Sequence, residues 1–168
     1  MIEYIDIYDS NRQKTGKIIP RKGATLSEGE YQLYTISICQ NWDGKFLITQ
    51  RVMTKAWAPG SWEVSGGGVM AGETSAQAIQ REIWEETGLD VTGAKGGYLF
   101  SYQRINPDEG DNYFVDIYRF DMDVKEEDVH IQTAEAMGFQ FADLDTIKKL
   151  AEQDKFLHYN SIKQAFEA

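Results

Sequence analysis

Residues 67–89 read GGVMAGETSAQAIQREIWEETGL, and the fold turns on how this stretch divides. Residues 74–87 hold no Gly or Pro and consist of good or tolerable helix formers, which predicts a helix. Gly88 stands where a C-cap stops it. Gly72 gives a flexible approach, Thr74 and Ser75 offer capping hydroxyls, and Glu73 puts negative charge near the positive end of the helix dipole. Ala78 or Ile79, with Ile83, supplies the inward face, and Trp84 lies near its edge. The glycines ahead of the helix predict a turn. Glu82, Glu85 and Glu86 stand at i, i+3 and i+4, so their side chains gather on one patch of helix surface. Three like charges there repel one another, and Arg81, four residues before Glu85, neutralises only part of them. A divalent cation would neutralise the rest.

The flanking segments predict strands. Residues 2–8, IEYIDIY, alternate apolar and acidic, and GKII at 16–19 resumes the pattern after turn formers, so residues 1–22 read as a hairpin extension to the core. Residues 31–39, YQLYTISIC, and 45–51, KFLITQR, form a second hairpin around a turn at 41–44 and read as central strands. Residues 61–65 predict a short strand that delivers the chain to the glycines at 66–68. Beyond the helix, 97–105 and 113–121 read as strands joined by NPDEGDN. Residues 122–133 read as an acidic loop, 138–141 as a last strand, and the chain from Asp143 as two helical pieces ending at Phe166. Residues 1–168 are long enough for one domain with a real core, and strands around one central helix with a helical C-terminus predict a three-layer α/β/α or α+β sandwich.

Composition bounds the function. With 17 Lys and Arg against 27 Asp and Glu, the net charge of −10 argues against a broad basic surface for a nucleic-acid polymer. A small phosphorylated substrate held through a metal is compatible. The single cysteine, Cys39, excludes an internal disulfide and a Cys-based zinc cluster, and His130 and His158 make no ligand spacing. A reducing, cytoplasmic location is expected: MIEYIDIYD lacks a signal-peptide layout and no apolar run reaches the length of a membrane span.

The spacing carries a resemblance. Gly67, five residues, Glu73, seven residues, Arg81-Glu82-Ile83, one residue, Glu85-Glu86, one residue, Gly88-Leu89 resembles the signature box of the Nudix hydrolase family without a departure. The box covers 23 of 168 positions, and the strands on either side also resemble the family's layout. The resemblance implies a Nudix-type α/β/α sandwich with a mixed central sheet. It further implies hydrolysis of a nucleoside diphosphate linked to another moiety, with Mg²⁺ or Mn²⁺ as cofactor. By position, Glu82, Glu85 and Glu86 match the metal-binding carboxylates, the carbonyl of Gly67 a further ligand, and Arg81 with Glu73 the pair that braces the loop. The general base differs among family members: Glu82 is one candidate, and Glu135, in TAEAMGF, resembles a glutamate that others supply from a late loop.

Substrate contacts are less determined. Arg51 and Lys55 are candidates for phosphate, and Trp57 for stacking on a base or ring. Trp62, after Pro-Gly, reads as a packing residue, and Cys39, in an apolar strand, as core. Tyr102 and Tyr113 lie downstream of the box, where subfamilies place specificity residues, and Pro107 is not at the spacing of the ADP-ribose type. Ser65 replaces the usual proline before the paired glycines, and the N-terminal pattern resembles the isopentenyl diphosphate isomerase-like branch. That branch offers an isomerase as the rival reaction; a non-catalytic ligand sensor on the same fold is a third reading. The N-terminal hairpin presents strand edges on which a homodimer can form.

Overall fold

A computed structural model describes residues 1–168. Period-two alternation sets the architecture. In strand β3 (Gln32–Gln40), β4 (Phe46–Arg51) and β8 (Tyr113–Asp121), successive buried residues point to opposite faces of one sheet. Ile38, Phe46, Ile48, Val115 and Ile117 join one cluster with Ile147, Ile162, Ala165 and Phe166 of the C-terminal helices α2 (Leu144–Glu152) and α3 (Tyr159–Phe166). Cys39, Leu47, Tyr118 and Phe120 face the other way and pack with Ile79 and Ile83 of α1 (Ser75–Thr87). Helices on both faces of the sheet make the α/β/α sandwich.

The seven-stranded sheet runs β5 (Trp62–Glu63), β4, β3, β8, β7 (Lys95–Arg104), with β6 (Gly66–Gly68) on β3 and β9 (Ala136–Ala142) on β4. It is mixed: β3 and β8 are parallel, and every other pairing is antiparallel. One edge of β3 belongs wholly to β8, whereas the other is divided. Near its end Gln40 pairs with Phe46 of β4, and further back Tyr34, Thr35 and Ile36 pair with β6. The sheet splays between β3 and β4, and β6 fills the gap.

The glycines of β6 correct the expected turn. Residues 66–68 run as a strand, and none of the three adopts a positive φ. Their requirement is closeness: a Cβ on Gly66 would strike the Thr35 carbonyl and come within 3.0 Å of Ile36 Cα.

The N-terminal hairpin, β1 (Tyr4–Tyr8) with β2 (Lys14–Pro20), is a separate two-stranded sheet but not a peripheral one. Tyr8 and Tyr31 exchange backbone hydrogen bonds of 2.8 and 2.9 Å, and Tyr8 packs with Leu33, Val69, Ala78 and Phe114. At the hairpin's turn Arg12 clasps the buried Asp116 of β8 through two hydrogen bonds of 2.6 and 2.5 Å.

Candidate active site

Helix α1 begins and ends as its residues dictate. Thr74 is the N-cap, its hydroxyl accepting from the Gln77 N–H at 3.1 Å while the Gln77 side chain accepts from the Thr74 N–H at 2.9 Å. Gly88 closes the helix at φ 73°, its N–H bonded to the Trp84 carbonyl. With Ala78, Ile79 and Ile83 fully buried, the helix is held in one rotation that turns Arg81, Glu82 and Glu86 toward β6. Trp84 is exposed.

Arg81 is the centre of the loop's support. Its Nε and Nη2 donate to the two Glu73 oxygens at 2.8 and 2.9 Å, and Nη2 also reaches the Gly68 carbonyl at 3.1 Å. Nη1 donates to Glu82 at 2.9 Å and Glu85 at 3.4 Å. The Met70 N–H donates to Glu73 at 3.0 Å, so one carboxylate ties the loop to the helix. The Glu73 hydrogen bonds hold the Arg81 guanidinium well above its usual pKa. Burial would raise Glu73, but the bonds from Arg81 and Met70 outweigh it and leave its carboxyl below the ordinary range.

Glu86, Glu82 and Glu63 are under the opposite pressure. Burial pushes Glu86 well above the usual glutamate range, and the neighbouring charges of Glu82 and Glu63 add to it. The hydrogen bonds it accepts from Ser65 and from the Gly66 N–H, the latter at 3.2 Å, offset this only in part. Burial also raises Glu82 against the pull of Arg81, and Glu63 against that of Arg51. Half-buried like charges of this kind attract a cation. The donors are oxygens only, which suits a hard divalent ion. A Cβ on Gly67 would run into the Glu82 carboxylate, so the glycine keeps that side of the site open. The three carboxylates do not converge into a three-donor cluster, because Arg81 holds Glu82 and Glu85 while the Gly66 N–H holds Glu86.

Two cavities, each of about 440 Å³, meet at this point. The acidic one contains Glu82, Glu85 and Glu86 with Arg81, Lys55 and Glu135. The aromatic one is lined by Tyr34, Trp57, Tyr102, Tyr113 and His158. Arg21, Arg51, Glu63, Gly66 and Gly67 belong to both and form the wall between them.

The family model described as the NUDIX domain matches residues 31–164. The chain belongs to the Nudix family. An uncharacterised Nudix hydrolase of Listeria monocytogenes is 31% identical over 169 residues, covering 98% of this chain and 94% of that protein. A CTP pyrophosphohydrolase of Escherichia coli is 44% identical over 62 residues, 37% of this chain and 44% of that one. Among solved structures, DR0079 of Deinococcus radiodurans shares the fold with a TM-score of 0.70 at 21% identity, covering 89% of this chain and 90% of that chain. The protein is thus a Nudix-type hydrolase.

Within the Nudix fold the positions named from the sequence fall as follows. Glu82, Glu85, Glu86, Gly67 and Arg81 all line the acidic cavity, with the carboxylates held apart. Glu135 and Lys55 join them at the acidic cavity as an ion pair, so the Lys55 charge is already engaged. Arg51 lines both cavities, but it too is occupied, donating to Glu63 at 3.1 Å and to the Trp57 carbonyl at 3.1 and 3.2 Å. Trp57 is exposed at the mouth, its ring stacked on His158 at 5.9 Å and facing Arg51 at 5.3 Å. Trp62 packs against the α2/α3-side core. Cys39 is buried in the α1-side core, where desolvation pushes its thiol up to about 12, and it lines neither cavity. Two residues of the site carried no signal in the sequence: Arg21 and Tyr34 lie 61 and 48 positions before Glu82 and reach it only through the closure of the hairpin and the pairing of β6 with β3. For Glu63 a signal did exist, since a lone acid in the short segment SWEVS leads directly into the glycines.

Proposed function

We propose that this Nudix hydrolase cleaves the diphosphate linkage of a nucleoside diphosphate joined to another moiety, with Mg²⁺ or Mn²⁺ as cofactor. The observation that carries the reading is the shared wall: an acidic cavity for the diphosphate opens beside an aromatic cavity sized for a ring. Glu82, Glu85, Glu86 and the Gly67 carbonyl would hold the metal. A divalent ion there supplies charge neutralisation to phosphate oxygens and makes water a better nucleophile. The chain does the rest. Arg81, braced by Glu73, fixes the loop and the orientation of Glu82. Tyr34, Trp57, Tyr102 and Tyr113 stack on or edge the ring and exclude water from one side of the diphosphate. Water attacks phosphorus as the bridging P–O bond breaks, the leaving phosphate keeps the electron pair, and a carboxylate takes the proton. Glu82 and Glu135, which both line the acidic cavity, are the two candidates to accept it.

The pH profile separates those two. If Glu135 is the base, Glu135→Gln lowers kcat by about 10²-fold and removes the acidic limb of the profile; if Glu82 is, Glu135→Gln leaves that limb in place. The reading as a whole is tested by a panel of nucleoside diphosphate sugars, dinucleoside polyphosphates, nucleoside triphosphates and coenzyme A with Mg²⁺. It fails if none is hydrolysed. The match to a CTP pyrophosphohydrolase makes nucleoside triphosphates a priority in that panel. No helix is long and apolar enough to cross a membrane, and a cytoplasmic location belongs to the same reading. A homodimer through the exposed strand β2 is part of the proposal, and a sizing column reporting monomer removes it.

A further inference from the structure

Four cationic side chains border the acidic cavity: Arg21, Arg51, Lys55 and Arg81. Three are less than one-third exposed and engaged by acids, Arg51 by Glu63, Lys55 by Glu135, and Arg81 by Glu73, Glu82 and Glu85. Arg21 differs. A single hydrogen bond from Nη1, 3.0 Å to Glu3, which also lines the acidic cavity, is all that occupies its guanidinium, and the two side chains are 40% and 45% exposed, where such a bond contributes little. The rest of its fork lies against β6. A Cβ built on Gly68 would sit 3.3 Å from Arg21 Cζ and Nε and 3.5 Å from Nη2, so the glycine lets the guanidinium settle beside the strand that divides the two cavities. Arg21 accordingly lines both the acidic and the aromatic cavity.

The backbone that delivers it is fixed at several points. The Arg21 N–H donates to the Glu3 carbonyl at 2.8 Å, which closes the open end of the hairpin. The hairpin is bonded in turn to the loop of the Nudix box: the Ala71 N–H donates to the Tyr4 carbonyl at 2.8 Å and the Gly72 N–H to Asp6 at 2.9 Å. Arg12 anchors the far end on Asp116. A cation on a segment tied down at these points, with most of its donors uncommitted and lining both cavities, is placed for bidentate recognition of phosphate.

We infer that the N-terminal hairpin is part of the active site, and that Arg21 binds the substrate's diphosphate where it crosses from the acidic to the aromatic cavity. The inference rests on the diphosphate reading above. It makes Glu3 a competitor for the same guanidinium, exchanged for phosphate when substrate arrives.

That competition gives the test. Binding of inorganic pyrophosphate is measured by calorimetry in the presence of Mg²⁺ on the full chain and on Arg21→Ala, Arg21→Lys and Glu3→Gln, with thermal unfolding as the folding control. Arg21→Ala should weaken binding by about tenfold or more. Arg21→Lys should recover part of the loss as a point charge without the fork, and Glu3→Gln should bind as tightly as the parent or tighter. A purely structural Arg21–Glu3 pair predicts that both partners' variants act alike, so weakening by Glu3→Gln overturns the inference, as does unchanged affinity in Arg21→Ala. Failure of the parent protein to bind pyrophosphate overturns instead the diphosphate reading beneath it.

Discussion

At the scale of single residues the box is a balance between Arg81 and four glutamates, Glu73, Glu82, Glu85 and Glu86. Arg81 satisfies Glu73 outright and Glu82 and Glu85 in part, while Glu86 is left with backbone and hydroxyl donors and two like charges for neighbours. The two ends of this balance respond oppositely to pH. A glutamate raised in the folded state, such as Glu86, favours folding at low pH and loses that contribution as pH rises from the unfolded value of about 4.3 toward its folded one. Glu86→Gln measured in chelator should therefore be at least as stable as the parent at pH 7, the advantage fading toward pH 4, while turnover falls by about 10²-fold or more. Thermal unfolding across pH, with assays in Mg²⁺, checks both halves. Glu73 behaves the other way, because its lowered carboxyl contributes stability that is present at neutral pH and lost as pH falls through its folded pKa. Arg81→Ala leaves Glu73 half-buried and unpaired, and should cost about 2 kcal/mol, read from denaturant unfolding, as well as activity.

At the scale of elements, helix α1 was the most legible part of the chain and β6 the least. The helix announces itself through formers, caps and an apolar face, all local properties, and its observed ends at Ser75–Thr87 follow from Thr74 and Gly88. A strand of three glycines has no side-chain alternation to read, and its identity depends on a partner 32 residues away, Gly67 opposite Thr35. The same cause hid Arg21 and Tyr34, which enter the site through pairing and not through spacing. The hairpin was legible as a hairpin, whereas its seat on the box loop, through Asp6 and Tyr4, was not. The glycines of β6 also divide by role. Gly66→Ala should destabilise the fold by about 1–3 kcal/mol because its Cβ meets backbone. Gly67→Ala meets only the Glu82 side chain, which can swing away, so it should fold nearly as well and lose turnover. Unfolding midpoints and kcat for the pair make the comparison, and equal loss of stability in both variants contradicts it.

At the scale of the molecule the sandwich serves to bring distant segments to one wall. The splay between β3 and β4 admits β6, α1 lays its carboxylates against it from one side, and the N-terminal hairpin closes it from another. The clasp of Arg12 on Asp116 is the hairpin's main polar anchor. Burial would raise Asp116, but the bonds from Arg12 and Ser101 outweigh it and leave the carboxyl below its usual range, so the clasp contributes stability above that range that is lost on acidification. Arg12→Leu should cost about 2 kcal/mol, discounted because Arg12 is about one-third exposed, and lower Tm by about 4–8 °C. With the hairpin loosened, KM should rise more than kcat falls. The central claim is that the Gly67-to-Leu89 box works as a metal-dependent diphosphate-cleaving site fed by the aromatic cavity. Its most direct test is product release from the nucleoside diphosphate panel with Mg²⁺, for the parent protein and for Glu86→Gln. The account predicts cleavage within the diphosphate by the parent, abolished by chelation and by Glu86→Gln while the fold is retained. Turnover that survives both treatments contradicts it.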